Sequence, residues 1–249
     1  MDSLLRARLS ELANRAYNNN QYSFTNFLSE AELSEYFEMS KELAFIPSET
    51  FGGIGASERQ IVRFGGKDIF GYEEPFPIVC LKIVPLNEKF ADNLNHRDFL
   101  GALMNLGIER EMLGDILVED KHSYLFCLES ISQYIIENLT RVKHTVVNVK
   151  PMTDEVNEIE TKKTPKTIQV ASERVDAVVA RVFNISREAC VILFKEQKVF
   201  INGRLTTGNA TKVKPGDRIS VRGYGKFDLE GQIGVSKKGK LNLTVLVYG

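Results

Sequence analysis

Catalysis by this 249-residue chain would have to start from its histidines, its cysteines or the stretch Phe51–Ser57. In His96-Arg97-Asp98, a phosphoryl-transfer centre would use Asp98 to accept a hydroxyl proton and an Asn five residues later to hold magnesium. The next Asn is Asn105, seven residues on, and no glycine-rich nucleotide loop with a strand lysine accompanies it. Phe51–Ser57 reads FGGIGAS, which fits neither phosphate-loop pattern and is expected to be a turn. His96, His122 and His144 stand without a Ser or Cys elbow and without metal-ligand spacing. Cys80, Cys127 and Cys190 each sit inside an apolar run and form no CxxC, so buried reduced thiols are expected. The chain is therefore expected to have no catalytic residue, metal, cofactor or small-molecule substrate.

Contacts to nucleic acid are better supported. His96 and Arg97, beside a helix start, are a candidate phosphate contact. Tyr124 and Phe126 are two residues apart, hence on one sheet face, and could stack bases. The strand PIVCLKIVP offers them no aromatic partner, and their own strand lacks the glycine-bearing consensus of base-stacking sheets. These four are secondary candidates, because the charge lies elsewhere. Residues 1–164 hold 17 Lys and Arg against 26 Asp and Glu, whereas residues 165–249 hold 15 against 7. The net charge of −1 thus conceals a basic C-terminal third, the electrostatic footprint of a phosphate-binding surface. Within it Arg174, Arg181, Ser186, Arg187, Lys195, Lys198, Asn202 and Arg204 are the RNA-facing candidates, the arginines because a planar guanidinium can bond phosphate bidentately. Arg174 and Arg181, seven apart, share roughly one helix face, and Asp176 is expected to orient a nearby cation.

The elements that must position these groups follow from pattern. Leu5, Leu9, Leu12, Ala13 and Ala16 recur at helical spacing, closed by Asn18-Asn19-Asn20, and Ser29 with Glu32 predicts a capping box opening a second helix toward Leu43. A strand is expected near Arg59–Phe64. Then come a strand at Pro77–Pro85, a helix at Arg97–Leu106 capped by Asn95 or Asp98, strands at Asp115–Glu119 and Tyr124–Leu128, a helix at Ile131–Leu139 and a strand at Lys143–Val149. The order βαββαβ is that of the ferredoxin-like fold, shared by the RNA-recognition motif. Residues 151–165, polar and bracketed by prolines, read as a linker. Beyond it, a helix carries Arg174 to Arg181, Ser186 caps another, and Val199-Phe200-Ile201 enters an Asn202-Gly203 turn, with a second tight turn at Lys214–Asp217. The reading is α+β, with a mixed domain at 1–75, a ferredoxin-like domain at 76–150, the linker, and a small RNA-binding domain with a β extension at 166–249. The N-terminus lacks a signal-peptide core, and the longest apolar run, Phe76–Val84, is broken by Lys82, so a cytoplasmic location without membrane partners is expected.

Arg174 with Asp176, Ser186-Arg187, Val199-x-Ile201-Asn202-Gly203-Arg204 and Gly216-Asp217 before a strand together resemble the alpha-L RNA-binding module named after small-subunit ribosomal protein S-four, over about 50 residues. Across nearly the whole chain, HRDFLGALMNLGIEREMLGDILV from His96 to Val118, TNFLSEAEL at 25–33 and RGYGKF near the end resemble the YlmH family, found near cell-division genes in Gram-positive bacteria. That resemblance implies association with the large ribosomal subunit through ribosomal and transfer RNA, in quality control of obstructed subunits carrying peptidyl-tRNA. The acidic two-thirds would position the protein or face a protein partner. The competing readings are a cell-division interaction protein for which RNA binding is incidental, and an RNA-modifying enzyme, although nothing here resembles the enzyme domain found where the alpha-L module is fused to pseudouridine synthases.

Overall fold

A computed structural model describes residues 2–55, 57–119, 122–152 and 163–248. The chain is mixed α+β and divides into two compact units, Met1–Ile159 and Glu160–Gly249. No helix among the described residues is long and apolar enough to cross a membrane.

The first unit opens with α1 (Asp2–Asn19), which buries Leu9, Leu12, Ala13 and Ala16 and stops where Asn20 turns to a φ of 50°. Asn tolerates that left-handed conformation better than most residues. After the short β1 (Ser23–Phe24), the helix α2 (Glu30–Glu38) begins in the expected capping box: the Ser29 amide donates to Glu32 Oε2 at 2.7 Å and the Ser29 side chain accepts from the Glu32 amide. A small antiparallel sheet in the order β1-β3-β2 follows from β2 (Ser48–Phe51) and β3 (Ile61–Phe64). The short α3 (Lys67–Phe70) then leads to the larger sheet.

That sheet holds β4 (Ile78–Pro85), β5 (Leu113–Glu119), β6 (His122–Leu128), β7 (Arg141–Val142) and β8 (Thr145–Met152) in the order β5-β6-β4-β8-β7, every pairing antiparallel. The helices α4 (His96–Asn105) and α5 (Glu129–Asn138) cover one face, packing Phe99, Leu103 and Ile135 onto Leu81, Ile83, Leu125 and Cys127. Alternation sends Cys80, Tyr124 and Phe126 to the other face. There they meet Phe27 and Ile61 from the N-terminal segment, and Phe126 is fully buried. Polar ties hold this cover down. Arg59 donates to the carbonyls of Phe27 and Leu113 at 2.7 and 2.9 Å, and Asp115 accepts from the amides of Glu58 and Arg59. Segments 1–75 and 76–150, expected above as separate domains, therefore share an interior.

The second unit is a sheet of β9 (Lys163–Val170), β10 (Val199–Ile201), β11 (Arg204–Leu205), β12 (Arg218–Val221), β13 (Gly225–Val235) and β14 (Leu241–Tyr248), in the order β11-β10-β12-β13-β14-β9. The helices α6 (Val175–Val182) and α7 (Arg187–Lys195) pack Val178, Val179, Cys190 and Phe194 onto Val199, Ile219, Phe227, Leu243 and Val245. The final strand pairs along its whole length with β9, from Leu241 opposite Val170 to Tyr248 opposite Lys163, a pairing that the sequence reading did not specify. This pairing also corrects the ends of the expected linker: Pro151 and Met152 continue β8, and Lys163 to Pro165 begin β9, their backbones held in sheet ladders. The linker's interior, residues 153–162, lies outside the described residues.

On the sheet face away from α6 and α7, Asp228 accepts from Tyr248 Oη at 2.7 Å, Arg218 Nε at 2.8 Å and Lys163 Nζ at 2.9 Å. Burial alone would raise its carboxyl pKa, but the bonds from Arg218, Lys163 and Tyr248 outweigh it and hold the group at about 2. A folded-state pKa below that of the unfolded chain contributes stability above the unfolded value, and the contribution is lost as pH falls from about 4 toward 2. Asp228→Asn is expected to cost roughly 1–3 kcal/mol at neutral pH, with the gap from wild type closing over that acid window in urea unfolding.

Two glycines should respond oppositely to alanine. Gly53 has a φ of 101°, and a Cβ there would run into the Phe126 ring, whereas a Cβ at Gly101, inside α4, meets open space. Gly53→Ala is expected to destabilise by roughly 1–3 kcal/mol. Gly101→Ala is expected to stabilise by up to about 1 kcal/mol, the helix-propensity difference. Urea titration of both variants measures the contrast.

Candidate nucleic-acid interface

The starts of α6 and α7 lie beside each other in the second unit. Asp176, in the first turn of α6, is 2% exposed and bonds Arg174 bidentately, Nε to Oδ1 at 3.1 Å and Nη2 to Oδ2 at 2.7 Å. Burial opposes the charge of Asp176, yet the Arg174 bonds, with a further contribution from Arg187, hold its carboxyl below the usual range. The thiol of Cys190 in α7 donates to the Asp176 carbonyl at 3.4 Å. Arg174 and Arg187 thus gather at one end of the helix pair, and Asp176 takes the orienting role assigned to it.

The helix starts themselves contribute less than expected. The amides of Val175 and Asp176 donate to the carbonyls of Thr211 and Asn209, so the 209–211 loop occupies donors that could have met a phosphate. At α7 the Ser186 side chain accepts from the Ala189 amide at 3.1 Å, which makes it the N-cap. The positive charge available here is carried by side chains. Arg187 is exposed at the first position of α7, and Arg181 is exposed in the last turn of α6. Lys212, bridged through its backbone to Arg174, lies at the start of α6, whereas Arg181 is about 10 Å further along that helix. Sequence reasoning missed Lys212 because it stands in an isolated bridge, outside any helix or strand whose spacing could mark it; only its place two residues before Lys214 in a basic run did so.

The remaining candidates separate. Lys195 is exposed at the opposite end of α7, and Lys198 pairs with Glu196 at 2.7 Å, which offsets its charge. Asn202, with φ of 51°, and Gly203, with φ of 75°, form the expected turn. The Asn202 amide is committed, its Nδ2 donating to Asp217 at 2.8 Å and its Oδ1 accepting from the Arg218 amide at 2.9 Å. Asn202 therefore positions the hairpin that presents the exposed Arg204, and this corrects its assignment as a contact.

In the first unit, His96 and Arg97 are exposed at the start of α4, where Asn95 and Asp98 complete a capping box. Asp98 also pairs with Lys143 at 2.9 Å, and that bond, with the Asn95 amide, holds its carboxyl below the usual range. An acid at this helix start, with the first amides already capped, weakens it as a phosphate site. Tyr124 and Phe126 require correction. At 9% and 0% exposure, beneath Phe27 and Ile61, they pack the interior and present no ring face for a base. The alternation was read correctly, but the covering came from a segment some 65 or more residues earlier in the chain. All three cysteines are buried free thiols; burial pushes Cys80 and Cys127 up to about 12 and Cys190 to about 11. Among the described residues no group of three or more His, Cys, Asp or Glu could hold a metal ion.

Residues 72–156 match the family described as the putative RNA-binding domain in YlmH. A Bacillus subtilis (strain 168) protein named ribosome-associated protein quality control protein P2 is 28% identical over 199 residues, covering 78% of this chain and 75% of that one. A solved structure of cell division protein ylmH from Streptococcus pneumoniae superposes with a TM-score of 0.50 at 20% identity, over 61% of this chain and 91% of that one, a likeness of fold. The matched domain holds β4 to β8 with both covering helices, and the relative's similarity extends over three-quarters of its own length. Residues 72–156 thus hold the domain described for YlmH, and the likeness to the Bacillus protein reaches beyond that domain, over 78% of this chain.

Proposed function

We propose that this protein is a non-enzymatic RNA-binding factor that associates with the large ribosomal subunit and acts in ribosome-associated quality control. The observation that carries the reading is the gathering of Arg174 and Arg187 around the buried Asp176, with Lys212 bridged through its backbone to Arg174, on the unit that holds the positive balance of the chain. In this reading the second unit is an alpha-L module extended by β13 and β14, and it clamps a structured hairpin of ribosomal RNA beside transfer RNA. The order β5-β6-β4-β8 supports a ferredoxin-like reading of the middle domain. The quality-control role is supported by the name of the Bacillus relative.

The mechanism is electrostatic clamping. Guanidinium groups at the helix starts meet phosphates, and Asp176 holds Arg174 so that little side-chain freedom is lost on binding. The Asn202–Asp217 tie fixes the hairpin that carries Arg204. The acidic first unit, with 25 Asp and Glu against 15 Lys and Arg up to Ile159, carries a net charge of the same sign as RNA and is suited to orient the protein or meet a protein partner.

Sedimentation of lysate tests this. Wild-type protein is expected to migrate with large subunits at low salt and to dissociate steeply as salt rises, since several phosphates are neutralised. Arg187→Glu/Arg204→Glu should remain at the top of the gradient. Wild-type protein at the top under both conditions would overturn the ribosomal reading in favour of a division partner.

A further inference from the structure

The first unit contains an open cavity of about 560 Å³ that the proposed clamp does not use. Its volume lies within the range of about 300–1,000 Å³ typical of small-ligand sites. Phe51, Phe76, Arg63 and Glu49 line it, with Cys80 and Met152 from the larger sheet. The Phe51 and Phe76 rings stand 5.5 Å apart, and Phe51 is 38% exposed, an aromatic face left in solvent although the neighbouring Phe126 is buried. The Arg63 guanidinium lies between Tyr22 and Phe76, 5.2 and 4.8 Å from the ring centres. Glu49 accepts from it at 2.7 Å while staying 62% exposed, and Arg63 Nε is buried without an acceptor, the kind of orphan donor that a ligand or water completes.

The register supplies the second observation. Cys80 pairs with Met152, and two residues along the same strands Lys82 pairs with Lys150, so both lysines share the sheet face that forms the cavity wall. Lys150 is exposed, and the Lys82 ammonium sits 5.5 Å from the Tyr124 ring centre. The Phe51 and Phe76 rings meet at 57°, so the exposed face is that of Phe51, and an aromatic face beside a pair of lysines is the arrangement that takes a base on the ring and its backbone on the charges. Glu49 adds a carboxylate suited to accept from the N–H edge of a base. A basic peptide would find the Glu49 and Glu73 carboxylates, but both already face Arg63, at 2.7 and 3.7 Å, and Lys82 and Lys150 beside the cavity would repel it.

We infer that this cavity holds one unpaired RNA base, stacked on the exposed Phe51 ring that Phe76 backs, with the flanking phosphates on Lys82 and Lys150. The inference rests on the reading of the chain as an RNA-binding protein, and it gives the first unit a single-strand contact separate from the clamp on structured RNA. It also moves base stacking from Tyr124 and Phe126, which are covered, to the Phe51 ring of β2, backed by Phe76 from the segment before β4.

The test uses full-length Arg187→Glu/Arg204→Glu protein, in which the clamp is disabled, titrated with an unstructured eight-nucleotide RNA carrying one central 2-aminopurine. Quenching on binding is expected, together with roughly 5- to 150-fold weaker binding on adding Phe51→Ala, the worth of one base–aromatic stack. Lys150→Glu, at an exposed position, should weaken binding while leaving the thermal unfolding midpoint unchanged, which separates a lost contact from a lost fold. Absence of quenching in the parent protein would overturn the inference, as would equal quenching after Phe51→Ala. Tight binding of an oligo-arginine peptide without any RNA response would assign the cavity to a basic peptide instead. Failure of the ribosomal reading would be seen separately, as loss of sedimentation with large subunits while this quenching persists.

Discussion

A carboxylate almost wholly removed from water must be paired, and the organisation of the RNA-facing end follows from how Asp176 meets that requirement. Its two oxygens take both arms of the Arg174 fork, which sets the direction of that guanidinium before any ligand arrives. The turn that places Asp176 also brings the Cys190 thiol of α7 against the Asp176 carbonyl and puts Arg187 near enough to stabilise the charge. The loop carbonyls of Asn209 and Thr211 then cap α6, drawing Lys212 to the same end. One buried acid thereby assembles a cluster of cations that would repel each other if left alone.

A comparable constraint governs the first unit, where a sheet with two apolar faces must have both covered. The helices α4 and α5 cover one, and the segment around Phe27 and Ile61 covers part of the other. Arg59 makes the second cover specific, because its donors reach backbone carbonyls on both the covering segment and β5. The cover is incomplete toward Lys82 and Lys150, and at its margin lie the exposed ring of Phe51 and the cavity beside it. The same packing that removes Phe126 from solvent thus leaves an aromatic site at its border.

The two units use charge differently. In the second, Asp228 is surrounded by Arg218, Lys163 and Tyr248, so even the face away from the helices carries positive groups tied to a single acid. In the first, arginines such as Arg59 and Arg63 are spent on carbonyls, carboxylates and rings in the interior. Excess cation remains for a polyanion mainly in the second unit, where residues 165–249 hold 15 Lys and Arg against 7 Asp and Glu.

What the sequence by itself determined was local. The Ser29–Glu32 box, the Ser186 cap, the Asn202-Gly203 turn and the Arg174–Asp176 pair all join residues at most three positions apart, and residue type with spacing was enough to read them. The alternation of Tyr124 with Phe126 was equally legible as a shared face. What covers that face, which strand pairs with the final one, and where Lys212 or Lys163 lands were decided only by the tertiary structure. These depend on distant partners, 85 positions apart where Tyr248 lies opposite Lys163 and 99 where Phe27 covers Phe126. Periodicity records which way a side chain points relative to its own strand or helix, whereas burial depends on which distant segment arrives to exclude water from it.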